Sequence, residues 1–276
     1  MRRNPAIVKL KKIPRKLLGL VNPRLTNTYA CLINSFPKSG THLLSQVFDQ
    51  SYLLKDYDRF ITMASSINFR EKGLTKINRE IRNIRSKELV KGHIFYREEI
   101  IDHIKSVKLP TFFIYRDLRS CLVSEVFYLS SMNRFHKLSK YFDSSSSIDS
   151  LLKIAIEGLP NGGPTGLYKD INQRFLPFKG WVEDENIMAI RFEDLNENPR
   201  DTIEKIWIHF INRTDLELDL DKLIHSSLTS INPERSHTFR EGKSKGWDAI
   251  FDKANYERFI EVCGDLNESL GYDSAN

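Results

Sequence analysis

Tyr29-Ala-Cys-Leu-Ile-Asn-Ser-Phe-Pro-Lys-Ser-Gly-Thr-His-Leu-Leu44 is the stretch that decides the fold. Residues 29–36 are mostly apolar and short enough for a buried strand. Pro37 has no N–H to give to a sheet and stops the pairing. Gly40 allows a tight turn and the close approach of a ligand. Beyond it Thr41, Leu43, Leu44, Val47 and Phe48 recur at helical spacing. A strand, a short loop and a helix start make an anion cradle. The N–H groups of a first helical turn point at the ligand, and the helix dipole favours negative charge there. Lys38 adds a mobile positive charge, and Ser39 and Thr41 add hydroxyl donors. The triphosphatase pattern G-x-x-x-x-G-K-[ST] is absent, because this lysine precedes its glycine. An ordinary strand-turn-helix connection with a solvent-facing lysine is the bland alternative.

Working outward, the same rhythm recurs. Glu88 to Ile94 reads as a second short strand ending in Lys91-Gly92-His93. Residues 97–105 read as a helix that stops before Leu109-Pro110. Thr111 to Tyr115 is the clearest strand, and it runs into Arg116-Asp117-Leu118-Arg119 and a helix reaching about Ser131, with Asp117 placed to cap it. Asn186 to Phe192 reads as a further strand ended by Glu193-Asp194-Leu195, and Pro199 opens a helix to about Ile211. Further helices are expected over Leu216 to Leu228 and Tyr256 to Leu270. Strand followed at once by helix implies an α/β fold. The charge-rich residues 56–86 read as helical or loop surface between two core strands. Residues 144–166, with a serine run, a short helical pattern around Leu151 to Ile156 and Pro160-Asn-Gly-Gly-Pro-Thr-Gly166, have the make-up of a mobile cover or of a plain surface excursion.

Composition narrows the class. The chain has 276 residues, 40% of them hydrophobic, which suffices for a sizeable core. Cys31, Cys121 and Cys263 are odd in number and widely spaced, which fits a reducing, cytoplasmic setting better than a disulfide framework. No metal is expected, since no carboxylate and histidine cluster stands at ligand spacing. No nucleic-acid partner is expected either. The net charge is +6, yet residues 1–24 alone carry eight cations and no acid, which leaves −2 for the rest. A basic arm over residues 1–26 followed by a single domain over 27–272 is the expected organisation. The arm suits either peripheral contact with anionic lipid or a loosely packed tail.

Several separated motifs, taken together, resemble one family. Pro37-Lys38-Ser39-Gly40-Thr41 is similar to the 5′-phosphosulfate loop of sulfotransferases that use 3′-phosphoadenosine 5′-phosphosulfate (PAPS). Lys91-Gly92-His93 resembles the Lys-Thr-His segment that carries their catalytic base. Tyr115-Arg116-Asp117-Leu118-Arg119, with Ser124 downstream, resembles their 3′-phosphate motif, and Arg191-Phe192-Glu193-Asp194-Leu195 resembles their Tyr-Glu-Asp-Leu stretch. Phe239-Arg240-Glu241-Gly242 with Gly246-Trp247 resembles their final glycine-containing loop. The resemblance spans about residues 29–252 in the right order.

That resemblance implies a P-loop-like central parallel β-sheet with helices on both faces, and PAPS as donor co-substrate without a metal. It implies His93 as general base, Lys38 on the bridging oxygen and Lys91 at the sulfuryl oxygens. Lys38, Ser39, Gly40, Thr41 and His42 would form the 5′ cradle, with His42 as a wall of it. Arg116 would hold the 3′-phosphate, joined by Arg240, Glu241 and Gly242, with Ser124 on that phosphate or on Lys38, and with Phe192 or Trp247 beside the adenine. The acceptor would be a small molecule, or a glycan or lipid, bearing a hydroxyl or an amine. Three departures stand out: Glu241 for a basic residue, Phe192 for a tyrosine, and Gly92 for a threonine, which is expected to loosen the backbone beside the base. A P-loop nucleotide kinase and a non-catalytic module binding adenosine phosphates are the competing readings.

Overall fold

The structure is a computed structural model that describes residues 29–232 and 246–273. Five strands carry it: β1 (Cys31–Ser35), β2 (Lys55–Thr62), β3 (Glu88–His93), β4 (Thr111–Tyr115) and β5 (Met188–Arg191). They form one sheet in the order β2-β3-β1-β4-β5, and each neighbouring pair is parallel. The helices in chain order are α1 (Thr41–Gln46), α2 (Leu74–Arg82), α3 (Glu98–Ser106), α4 (Leu118–Phe127), α5 (Ile148–Glu157) and α6 (Ile171–Phe175). They continue with α7 (Gly180–Glu183), α8 (Phe192–Glu197), α9 (Pro199–Thr214), α10 (Leu220–Ser230), α11 (Lys253–Cys263) and α12 (Leu266–Ser269).

The strand alternation builds two cores, one on each face. Leu32, Val90 and Phe113 point to one, with residues of α2 to α5 and α11. Cys31, Ile33, Leu89, Phe112 and Ile114 point to the other, with α1, α9 and α10. Trp181 closes the first core and Trp207 the second, both fully buried. The Trp207 indole N–H donates to Ser227 Oγ at 2.9 Å, so the ring is buried without a stranded donor.

Three details depart from the sequence expectations. The charged residues 55–62 are an edge strand, β2, rather than loop or helix. With one neighbour only, an edge strand keeps most of its side chains partly exposed, which hides the hydrophobic alternation that reveals strands. Residues 192–197 continue as the short helix α8 rather than ending a strand. Finally, the helix expected around Leu151 to Ile156 is present as α5, but it is no loose cover. Leu151, Leu152, Ala155 and Ile156 are buried in the first core, and only the turn beyond it reaches the site, through Gly166, Leu167 and Lys169.

Candidate active site

A parallel sheet directs every strand's carboxyl end to one edge, and ligands collect there at the point where strand order reverses. In this molecule β1 continues toward β2 on one side of the sheet, and β4 lies on its other side. One cavity of about 820 Å³ opens over that edge. Each strand supplies its wall: Pro37 and Lys38 after β1, Thr62 and Met63 at β2, His93 at β3, Arg116 after β4 and Phe192 after β5.

The loop after β1 is tightly specified. Ser39 N–H donates to Phe36 O at 3.3 Å, closing a four-residue turn with Pro37 second and Lys38 third. Lys38 has φ of 71°, the left-handed value that a turn with proline in second place requires of its third residue. Glycine adopts that value at low cost, so a lysine here stores strain at a functional site. The Lys38 ammonium lies 4.1 Å from the centre of the Tyr128 ring, a cation–π contact. Burial lowers its pKa to about 8. The negative charge of Glu125 opposes that shift, and the positive charge of Arg116 adds to it.

Gly40, at φ 101°, caps α1, and a side chain there is excluded twice over. A Cβ would lie 2.5 Å from Phe192 Cδ2, and the backbone conformation itself disfavours L residues. Thr41 and His42 line the cavity. Ser39 lies under it instead, fully buried, with its Oγ 3.4 Å from Cys121 Sγ.

His93 is held from below. Its Nδ1 is 2.9 Å from Ser35 O and 3.1 Å from Ser35 Oγ, which in turn is 2.6 Å from Thr41 Oγ1. A carbonyl oxygen only accepts, so Nδ1 carries the proton and Nε2 is bare. Phe60 packs edge-on against the ring at 4.8 Å. Burial pulls the imidazole pKa down to about 4. The Ser35 hydrogen bond opposes this, and the Lys38 charge reinforces it. The ring is therefore neutral across the physiological range, as a proton acceptor must be.

Arg116 lies over the Phe192 ring, 4.3 Å from its centre, with its guanidinium at the cavity wall. Ser120 and Ser124 follow on α4 at one-turn spacing and line the same wall. Arg119 serves the fold rather than the cavity. It pairs with the α4 cap Asp117 at 2.7 Å and lies 3.9 Å from the Trp247 ring.

Lys91 does not reach the cavity. Its ammonium is 2.5 Å from Asp56 and 3.6 Å from Asp58, both on β2, and it is almost fully buried. A lysine buried in the sheet needs a carboxylate partner, and the edge strand provides two. The expected role at the sulfuryl oxygens is therefore corrected to an ion pair that ties β3 to β2. Gly92 also has a packing reason. A Cβ there would come within 2.8 Å of Ile61 O, so the glycine admits close approach of β2 rather than loosening the base. Arg240, Glu241 and Gly242 lie outside the described residues, as does the basic arm.

Four contributors went unnoticed in the sequence. Asn34 bridges the N–H and O of Ile94 at 2.8 and 2.9 Å, locking the ends of β1 and β3 together. Ser35 orients the imidazole. Tyr128 holds Lys38. Glu125 lines the cavity while accepting from Arg174 at 2.8 Å and from the Tyr168 hydroxyl at 3.0 Å. A polar residue ending an otherwise apolar strand was the one local signal, and it applied to Asn34 and Ser35.

Comparison with known proteins identifies the family and the fold. The family model described as "Sulfotransferase domain" matches residues 30–271. Rat "Sulfotransferase 1 family member D1" is 25% identical over 255 residues, covering 83% of this chain and 80% of that protein. Dog "Sulfotransferase 1A1" is 23% identical over 269 residues, covering 84% of each. Among solved structures, mouse sulfotransferase SULT7A1 complexed with PAP has a TM-score of 0.60 at 17% identity, covering 93% of both chains. Retinol dehydratase in complex with androsterone and inactive cofactor PAP has a TM-score of 0.58 at 13% identity, covering 92% of this chain and 83% of that one.

Proposed function

Because the chain belongs to the sulfotransferase domain family, we propose that it transfers the sulfuryl group of PAPS to a hydroxyl or amine, with His93 as general base. It is an enzyme of the sulfotransferase class. Donor use is supported by the PAP-bound structures that share the fold and by the loop that Gly40 keeps open to a close ligand.

The reaction needs three things: an aligned nucleophile, a base for its proton, and charge compensation on the departing oxygen. The acceptor's proton passes to the bare Nε2 of His93 as its oxygen or nitrogen attacks sulfur. The bond from sulfur to the bridging phosphate oxygen breaks, and adenosine 3′,5′-bisphosphate leaves. Lys38 supplies positive charge to that oxygen. Arg116 and Ser124 grip the 3′-phosphate, a guanidinium giving a forked, charge-assisted contact. Thr41 and His42 complete the 5′ cradle, with Ser39 buried beneath it, and Phe192, under Arg116, lies beside the adenine. Arg240, Glu241 and Gly242 are assigned to the same phosphate through the family pattern alone. We place the reaction in the cytoplasm, since Cys31, Cys121 and Cys263 are all free and buried. Among the described residues no helix is long and apolar enough to cross a membrane.

The observation that carries this reading is the convergence of Lys38, His93 and Arg116 from three adjacent strand ends onto one cavity. The test is transfer of radiolabelled sulfate from PAPS to a panel of phenols, alcohols and amines. His93→Ala should cut turnover by about 10²- to 10⁴-fold. Unaltered turnover in that variant would remove His93 from the mechanism. Donor binding without turnover on any acceptor would favour a non-catalytic module.

A further inference from the structure

The mouth of the cavity carries an unusual rim. One segment, residues 63–70, leads from β2 toward α2. The other, residues 128–140, begins as a π-helical turn (Tyr128–Met132) after α4. Lys137 N–H donates to Ser66 O at 2.8 Å, and Phe69 meets His136 with ring centres 5.6 Å apart, so the two segments form one ridge. Its inner side, including Met63, Phe69 and Leu138, lines the cavity. Its outer side projects Ile67, Phe135 and Met132, which are 79%, 78% and 48% exposed. Three large apolar side chains so exposed on two joined segments mark an interaction surface.

We propose that this ridge is a bilayer-docking surface, seated on anionic lipid with Ile67, Phe135 and Met132 in the interface, so that a membrane-dissolved acceptor enters the cavity directly. Charge complementarity selects the lipid surface over other occupants. Arg70, Arg134, Lys137 and Lys140 are all exposed around the tips. Of the acids that flank the two segments along the chain, Asp58 is paired with Lys91 and Glu125 with Arg174, which leaves Glu71 and Asp143 as the exposed ones. Cations flanking projecting apolar tips suit the boundary between headgroups and acyl chains, where long side chains reach back to the phosphates. What enters the cavity rests on the sulfotransferase reading. The docking itself does not.

The test is flotation of the full-length protein with phosphatidylcholine vesicles, with and without phosphatidylglycerol. Binding is expected to the anionic vesicles. Ile67→Asp with Phe135→Asp should weaken it at least about tenfold. Arg134→Glu or Lys137→Glu should each weaken it about fivefold or more. Absence of wild-type binding would overturn the proposal. So would a double aspartate variant that binds like wild type, since the basic arm would then account for the attachment. A wild-type dimer in sedimentation that the same variant dissolves would assign the ridge to a second copy and also overturn it. Calorimetry with adenosine 3′,5′-bisphosphate separates the two claims. Equal heats in wild type and variant show an intact fold, whereas no heat in either would remove the donor reading and leave the vesicle result standing.

Discussion

Lys91 lies in β3 and Lys38 in the turn that follows the neighbouring strand β1, and their sequence surroundings are alike: each sits close to a glycine near a strand end. The fold treats them oppositely. Lys91 stays in regular strand geometry, and Asp56 and Asp58 neutralise it. Lys38 stands in a left-handed turn, faces the cavity, and rests on an aromatic face rather than in a carboxylate's grip. A buried lysine with dedicated carboxylates is committed to holding structure. One held by a ring and a strained backbone keeps its charge ready for an incoming anion.

The contrast predicts different failures. Lys38→Ala should lower kcat by about 10³-fold, the scale of a lost transition-state contact, with little change in a urea melt. Lys91→Met should do the reverse. It strands Asp56 and Asp58 and should cost about 2–3 kcal/mol in urea unfolding, below the full buried-pair penalty because Asp56 is partly exposed. Its turnover at low temperature, where it remains folded, should stay within about threefold of wild type, below the smallest loss ascribed to general catalysis. A Lys91→Met enzyme that is stable but inactive would reverse the assignment.

The pH profile sharpens the same comparison. Activity needs His93 neutral and Lys38 charged. With His93 lowered to about 4 and Lys38 to about 8, kcat/KM should be flat between those values. It should fall about tenfold per pH unit below the lower limit and above the upper one. Tyr128→Leu removes the ring that faces Lys38 and should give the smallest effect, about two- to fivefold in kcat, as for a single cation–π contact. Tyr128→Phe keeps the ring face and should restore most of that loss.

Much of the architecture was legible because central strands and cradle loops obey strong local rules. Thr111–Tyr115 matched its strand to the residue, since five apolar or β-branched residues after a proline leave little else open. The order Pro37-Lys38-Ser39-Gly40 announced a turn because proline and glycine each restrict or free φ in a known way. β2 stayed hidden because an edge strand buries little and can carry charges. Lys91 was misassigned for the same reason, since its partners lie on that unrecognised strand. The roles of Tyr128 and Glu125 depend on contacts between α4 and distant segments, which no local pattern encodes. A family pattern pointed to His93, whereas only the geometry at Ser35 indicates which of its nitrogens lacks the proton.

The claim on which everything rests is that Lys38, His93 and Arg116 surround a single adenosine nucleotide. Calorimetric titration with adenosine 3′,5′-bisphosphate tests it most directly. One-site binding is expected, weakened about 10- to 100-fold by Arg116→Ala, as for loss of a charge-assisted phosphate contact, and unchanged by Lys91→Met. No heat with the wild-type protein, or equal affinity in Arg116→Ala, would contradict it.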